Sequence, residues 1–293
     1  MTIKENFKRF FKKLSAHRQQ LITVSLLLAI ILIVFISSII YSNPFKKYYT
    51  MIGDRELPLI FDPPSLKHLL GTNDFGNDNL VVLIHATRNS IILGFAVGGI
   101  SVGIAVFIGV VGSYVGGILD EIFQFITNIA LVFPIIPFIL LLSTMLNQRS
   151  IIIIGIIIAL FNWPWAARTI RAQVLSLKER NFIKVSKVTG MRNIKIAIFE
   201  ILPNLFSYIM LVFVIIVGIA ITVEAGISII GLGQEEILTL GMMLYWSKEF
   251  GHVTGGFYNL WLPPGIVLTL FLVLIYTVHS SMVEIFNPRL REK

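Results

Sequence analysis

Few side chains in this sequence have the types and spacing that chemistry demands. His85, His252 and His279 are scattered, and nothing near them has the intervals of metal ligands. They read as ordinary polar sites. Asp74 and Asp78 bring calcium to mind, but their surroundings lack the alternating oxygen ligands and closing glutamate of a calcium loop. A turn and a helix cap suit them better. A Ser/His/Asp triad and a zinc-helix signature are both missing, and with no cysteine there can be no disulfide, thiolate metal site or cysteine nucleophile. The chain also has no Gly-x-x-x-x-Gly-Lys-Ser/Thr phosphate loop, so it cannot supply a nucleotide site. One carboxylate is out of place. Glu224 stands in a long apolar run, where a charge at a membrane centre costs about 2.5–3.5 kcal/mol on insertion scales. It must face protein or water, either as a hydrogen-bonded acid capping the following glycine turn or as a group in a gate or pathway.

The second unusual segment is basic. Residues 168–204 hold Arg168, Arg171, Lys178, Arg180, Lys184, Lys187, Arg192 and Lys195. Phe182, Val185, Val188 and Met191 recur among them at helical spacing. The segment reads as helix, glycine break at Gly190, helix, then Leu202-Pro203-Asn204. By composition alone this is a basic amphipathic helix lying on anionic lipid.

The elements that must position these residues follow from composition. Of 293 residues 56% are hydrophobic and 14% charged, with a mean hydropathy of +0.84. Soluble domains are about 45–50% apolar and about 25% charged, so lipid is the solvent this chain requires. In a soluble protein the net charge of +8 would point to nucleic acid. Here it marks basic loops held on one side of a bilayer, and no nucleic-acid partner is expected. A spanning helix needs roughly 20 apolar residues. Six candidates are legible, at residues 21–41, 90–115, 122–146, 151–167, 205–230 and 260–283. The first is too long for a signal core and lacks a cleavage site, so it reads as a retained span. The fourth is expected to stop at the break Asn162-Trp163-Pro164-Trp165. With six spans the N-terminal tail (Lys4, Lys8, Arg9, Lys12, Lys13, Arg18), residues 168–204 and the C-terminus (Arg289, Arg291, Lys293) share one side. By the positive-inside rule that side is the cytoplasm, so both termini are cytoplasmic in a multi-pass protein of the cell membrane. Residues 42–89, rich in acid as well as base, and residues 231–259 would lie outside. In the second span Gly94 and Gly98, Gly99 and Gly103, and Gly112 and Gly116 are each four apart. That spacing serves close helix packing or a hinge.

The order of residues carries a resemblance. Lys184-Val185-Ser186, then Gly190, then Leu202-Pro203, resembles the cytoplasmic loop of ABC-importer permeases, with lysine where that family has the acid of a Glu-Ala-Ala triplet. His68-Leu69-Leu70-Gly71-Thr72-Asn73-Asp74-Phe75-Gly76-Asn77-Asp78 is similar to a signature of the dipeptide, oligopeptide and nickel importer group, in its C-type subunit, with Asn77 in place of arginine. Further matches to that group are Thr87-Arg88-Asn89-Ser90, Glu224-Ala225-Gly226-Ile227-Ser228-Ile229-Ile230-Gly231-Leu232-Gly233 and Asn287-Pro288-Arg289-Leu290-Arg291. Together they reach from about residue 66 to the end. Residues 66–293 would then be the importer-permease region with five spans, and residues 1–65 a tail, one span and the start of a loop.

The resemblance implies an all-α membrane fold of six transmembrane helices with a cytoplasmic coupling helix, of the type I importer kind. It implies a homologous second permease, two cytoplasmic ATPase subunits holding ATP and magnesium, and an extracytoplasmic solute-binding protein, with no cofactor in this chain and no catalysis by it. Residues 182–191 would dock in an ATPase groove, with Phe182, Lys184, Val185, Ser186, Val188, Gly190, Leu202 and Pro203 as the coupling positions. Glu224, Gly231, Gly233, Asp74, Asp78 and Arg88 would serve the pathway or the fold. Peptide is the expected cargo, with oligosaccharides and nickel chelates as alternatives. An ion-coupled secondary transporter would instead need polar coupling sites at mid-membrane and often internal repeats. An intramembrane enzyme would need clustered catalytic residues within spans. Neither pattern is clear in the sequence.

Overall fold

The computed structural model of the chain describes residues 18–52, 55–134, 137–138, 141, 150–234 and 237–286. Lys4, Lys8, Arg9, Lys12, Lys13, Asp54, much of the second half of the third expected span, and residues 287–293 with Arg289, Arg291 and Lys293 lie outside these.

The chain is a helical bundle with one small hairpin. Helix α1 (Arg18–Ile40) leads into antiparallel β1 (Tyr49–Ile52) and β2 (Arg55–Pro58), which pair Tyr49 with Pro58 and Thr50 with Leu57. Helix α2 (Asn79–Val106) continues through a wide π-helical turn (Phe107–Gly112) to Val115, and α3 (Gly117–Val132) turns back. Gly116 and Gly117 make that reversal with φ of 74° and 65°, a left-handed region that side chains resist. Helix α4 (Ile151–Lys178) is followed by short α5 (Asn181–Val188). Helix α6 (Asn193–Ile196) runs through a π-helical turn (Ala197–Ile201) into α7 (Leu202–Ile227), which ends in another wide turn (Ser228–Leu232). Helices α8 (Leu240–Glu249) and α9 (Tyr258–Phe286) complete the chain.

Among the described residues five stretches are long and apolar enough to cross a membrane: Leu21–Ile40, Asn79–Val115, Ile151–Lys178, Asn193–Leu232 and Tyr258–Val283. The third expected span begins as α3, whose 16 residues are too short by themselves. Three boundaries differ from expectation, each for a physical reason. Helix α2 starts at Asn79, eleven residues before the expected start at 90, because Asp78 Oδ1 accepts from the N–H groups of Leu80 and Val81 at 2.9 and 3.3 Å. Its polar first turns are hidden by protein. Helix α4 does not stop at Pro164 but carries Arg168 and Arg171 on to Lys178. Proline removes a single N–H donor, and neighbouring helices tolerate that loss in a bundle. Pro203 likewise sits within a continuous rise from Asn193, where the side chain of Asn204 donates to the Glu200 carbonyl at 2.6 Å.

Helices α2 and α7 form the centre. Lipid-solvated helices gain little from the hydrophobic effect and associate through close packing. A Cβ placed on Gly94 would stand 2.6 Å from Ile221 Cγ1, and one on Gly98 would stand 2.9 Å from Val217 Cγ2, so these glycines let α7 lie against α2. Gly99 and Gly103 meet nothing within 4 Å. At one end of the bundle Val110, Tyr114, Val174, Ile183, Ile196 and Ile201 share a buried cluster that binds α5 and α6 to the spans. At the other end α8 packs on α2 through Val82, Leu83, Ala86, Leu240 and Met243.

Candidate functional site

The basic end of the bundle holds the residues expected to couple. Ile183 is fully buried, whereas Val185 and Val188 are 62% and 88% exposed. Helix α5 is therefore pinned by one residue and presents an apolar ridge on the far side, with Phe182 at its edge and Lys184 exposed beside it. Gly190 closes the helix with φ of 77°. The Met191 N–H bonds the Ser186 carbonyl at 3.2 Å and the Gly190 N–H bonds that of Lys187 at 3.1 Å, the paired bonds of a Schellman cap. Ser186 Oγ is spent on the Phe182 carbonyl at 3.1 Å. Lys178 and Lys187 both lie over the Tyr114 ring, 5.7 Å from its centre, so the tip of α2 carries part of the loop. Leu202 and Pro203 open α7, and Leu202 packs against the cluster that buries Ile183.

A residue pair that the sequence does not mark braces this end. Arg171 Nε and Nη2 donate to Asp120 Oδ1 and Oδ2 at 3.0 and 2.8 Å, joining α4 to α3. The Arg171 hydrogen bonds hold the Asp120 carboxyl below its ordinary value, against the opposing effect of burial. The available signal was an acid just ahead of one apolar run and an arginine near the tail of another. A cavity of about 100 Å³ lies beside the pair, lined also by Gln124, Asn128 and Arg168.

At the opposite end Glu224 is 3% exposed. Its Oε1 accepts from Ser228 Oγ and from Thr239 Oγ1, both at 2.7 Å, and its Oε2 is buried with no partner. Thr239 Oγ1 in turn accepts from the Met242 N–H at 3.1 Å and caps α8. The carbonyl of Leu238 accepts from Asn89 Nδ2 at 2.8 Å, and the N–H of Leu240 donates to Ser90 Oγ at 3.0 Å. Two distant motifs, around Asn89-Ser90 and around Glu224-Ser228, thus converge on residues 238–240. Gly231 turns the chain with φ of 87°, and Gly233 lies against Ser228 and Met242. Thr239, which the sequence gave no reason to single out, is the shared partner.

Asp74 and Asp78 belong to a separate cluster. Asp78 caps α2 and its Oδ2 meets His68 Nδ1 at 2.8 Å. Asp74 Oδ1 meets His252 Nε2 at 2.9 Å. Asn79 Nδ2 donates to the Asn259 carbonyl and Asn259 Nδ2 to that of Leu70, at 2.7 and 3.0 Å. These bonds fold residues 59–79 onto α8 and the start of α9. Arg88 joins neither cluster. Its guanidinium lies 5.8 Å from the centre of the Phe35 ring of α1, and its Nε is buried without a partner. Among the described residues no group of three or more His, Asp or Glu side chains has the arrangement of a metal site.

Comparison with known proteins agrees with this architecture. The chain is 29% identical to the oligopeptide transport system permease protein OppC of Mycobacterium tuberculosis over 266 residues, covering 90% of this chain and 89% of that one. It is 27% identical to the OppC of Lactococcus lactis subsp. cremoris over 280 residues, covering 95% and 93%. It is 29% identical to the dipeptide transport system permease protein DppC of Alkalihalophilus pseudofirmus over 249 residues, covering 83% and 78%. Residues 99–292 match the family described as the binding-protein-dependent transport system inner membrane component, and the chain belongs to that family.

Proposed function

We propose that this chain forms half of the translocation pathway of an ATP-driven importer of peptides, and that it is worked by separate ATPase subunits bound at its basic end. The observation that carries this reading is helix α5. Ile183 pins it to the spans, Gly190 caps it, and the ridge of Val185 and Val188 with Phe182 beside it points away from the bundle. Packing of a few apolar anchors into a pocket commonly dominates a protein interface. The basic end is then cytoplasmic, with both termini on that side, and the hairpin and α8 face an extracytoplasmic solute-binding protein. A homologous permease completes the pore. ATP and magnesium belong to the ATPase subunits. The names of the relatives support peptide as cargo.

The test is co-purification of ATPase subunits with Phe182→Ala and Gly190→Val, alongside peptide uptake. Both variants are expected to insert normally and to lose ATPase attachment, or to hydrolyse ATP without uptake. Full attachment and normal uptake in both would remove the coupling role. Orientation is checked separately. In this cysteine-free chain, a cysteine at Lys187 is expected to label only from the cytoplasm and one at Lys248 only from outside.

A further inference from the structure

A cavity of about 270 Å³ opens at the end of the bundle opposite α5, lined by Phe45, Lys47, Asn73, Phe75, Asn77, Val82, Leu238 and Trp246. Its deep wall is apolar, with Val82 and Leu238 buried, and Phe75 packs edge-on against Trp246 at 6.3 Å. Three polar residues interrupt it, Lys47, Asn73 and Asn77. Asn77 is 4% exposed, and its Nδ2 is buried with no hydrogen-bond partner. The Lys47 backbone faces that of Asn77 in an antiparallel bridge, next to the Tyr48 N–H bonded to the Gly76 carbonyl at 2.9 Å, and Lys47 is exposed where it lines the cavity.

The surrounding polar groups are already spent. Asn73 Oδ1 accepts from the N–H groups of Phe75 and Asn77, at 3.0 and 2.9 Å. Asp74 is engaged by His252 and Asp78 by His68. Among the residues whose side chains are described no carboxylate pairs with Lys47. An unpaired buried N–H is costly, and a cation beside it adds the charge that favours an anionic acceptor. An apolar, mostly preformed cavity with a few converging polar groups is the common form of a small-ligand site.

We propose that this cavity binds the C-terminal carboxylate of a peptide whose last side chain is apolar. Lys47 and the Asn77 amide take the carboxylate, and Phe75 and Trp246 enclose the side chain. The proposal rests on the peptide-import reading, and makes this chain itself a contributor to cargo selection on the outer face.

The experiment uses the complete transporter in nanodiscs, with this chain carrying a single cysteine at Phe45→Cys. The probe is Ala-Ala-Ala-Phe, as the free acid and as the C-terminal amide, and the readout is the rate of maleimide labelling. The free acid is expected to slow labelling, and the amide to need about tenfold more peptide for the same effect, as loss of a charge-assisted contact implies. Lys47→Gln and Asn77→Ala, each in the same background, are expected to erase the difference between acid and amide. A cysteine at Val253, which does not line the cavity, should label at an unchanged rate. Equal protection by acid and amide, or protection unaltered in both variants, overturns the site. So does protection by peptide-free binding protein alone, which would make the cavity a protein-docking surface. Uptake of the same peptide by the same preparation separates the two levels. Uptake without protection removes the site and keeps the importer, whereas protection without uptake keeps the site and removes the importer.

Discussion

Thr239 and Glu224, fifteen residues apart, share a 2.7 Å hydrogen bond that ties the cap of α8 to the end of α7. The same carboxylate oxygen takes the Ser228 hydroxyl, while Oε2 takes nothing. A carboxamide can accept both bonds through its own oxygen, so the negative charge is dispensable to this arrangement. Glu224→Gln is therefore expected to melt within a few degrees of the parent in detergent. Glu224→Ala leaves two buried hydroxyls without an acceptor and should lose about 1–3 kcal/mol. If Gln falls as far as Ala, the charge itself is doing the holding.

Close approach of α8 to α7 gives a second expectation. A Cβ on Gly241 would stand 2.7 Å from Ala225 Cα and 2.8 Å from Ser228 Cβ, against backbone that cannot rotate away. Gly241→Ala is expected to destabilise by about 1–3 kcal/mol, the usual cost of overpacking. Gly99→Ala, with nothing within 4 Å, should leave the melting temperature of the isolated chain unchanged. Thermal unfolding of the two single variants decides it.

The Arg171 and Asp120 brace has a defined pH dependence. The Asp120 pKa is lowered from its ordinary 3.8, so the folded chain favours the ionised form more than the unfolded chain does. The stabilisation is thus complete above about pH 4 and fades as pH falls through the lowered value. Asp120→Asn is expected to melt below the parent at pH 7, by about 1 kcal/mol for a part-exposed pair. The gap should hold to pH 5 and close below pH 4. A gap that stays open at pH 3 would mean that the pair is not its source.

Anchoring and docking can be separated on α5. Ile183 is fully buried and Val188 is 88% exposed. Ile183→Ala should cost about 2–5 kcal/mol of stability, as for other large core truncations. Val188→Ala should leave stability alone and weaken ATPase co-purification. Equal ATPase retention in Val188→Ala and the parent would place the docking ridge elsewhere.

The spans were largely legible, because roughly twenty apolar residues in a row have few alternatives to lipid. The errors fell where polar residues are satisfied by protein. Asn79 to Asn89 looked like loop, yet Asp78 caps the helix and Asn89 bonds a carbonyl 149 positions away. Helix α8 is not legible in the sequence because it is short and lies between glycine-containing turns. In residues 168–204 the glycine break can be read from the chain. The choice of which apolar residue faces the body cannot. Phe182, Val185, Val188 and Met191 carried the visible periodicity, but the buried residue is Ile183. A helix apolar on several sides has no single stripe to follow, and only the cluster around Val174 and Ile196 settles its rotation. The partnership of Glu224 with Thr239 was hidden for the same reason, since it needs the intervening turn to fold back.

The helical stretch Asn193–Leu232 runs for 40 residues. At 1.5 Å per residue that is a strut of roughly 60 Å, with its foot two positions after Met191 and Glu224 near its head. Leverage follows from length. A tilt of about 5° at the foot carries the head sideways by about 5 Å, more than the span of one hydrogen bond. The π-helical turns at Ala197–Ile201 and Ser228–Leu232 and the left-handed Gly231 interrupt it near foot and head, so such leverage reaches the Thr239 contact only as far as those joints stay rigid.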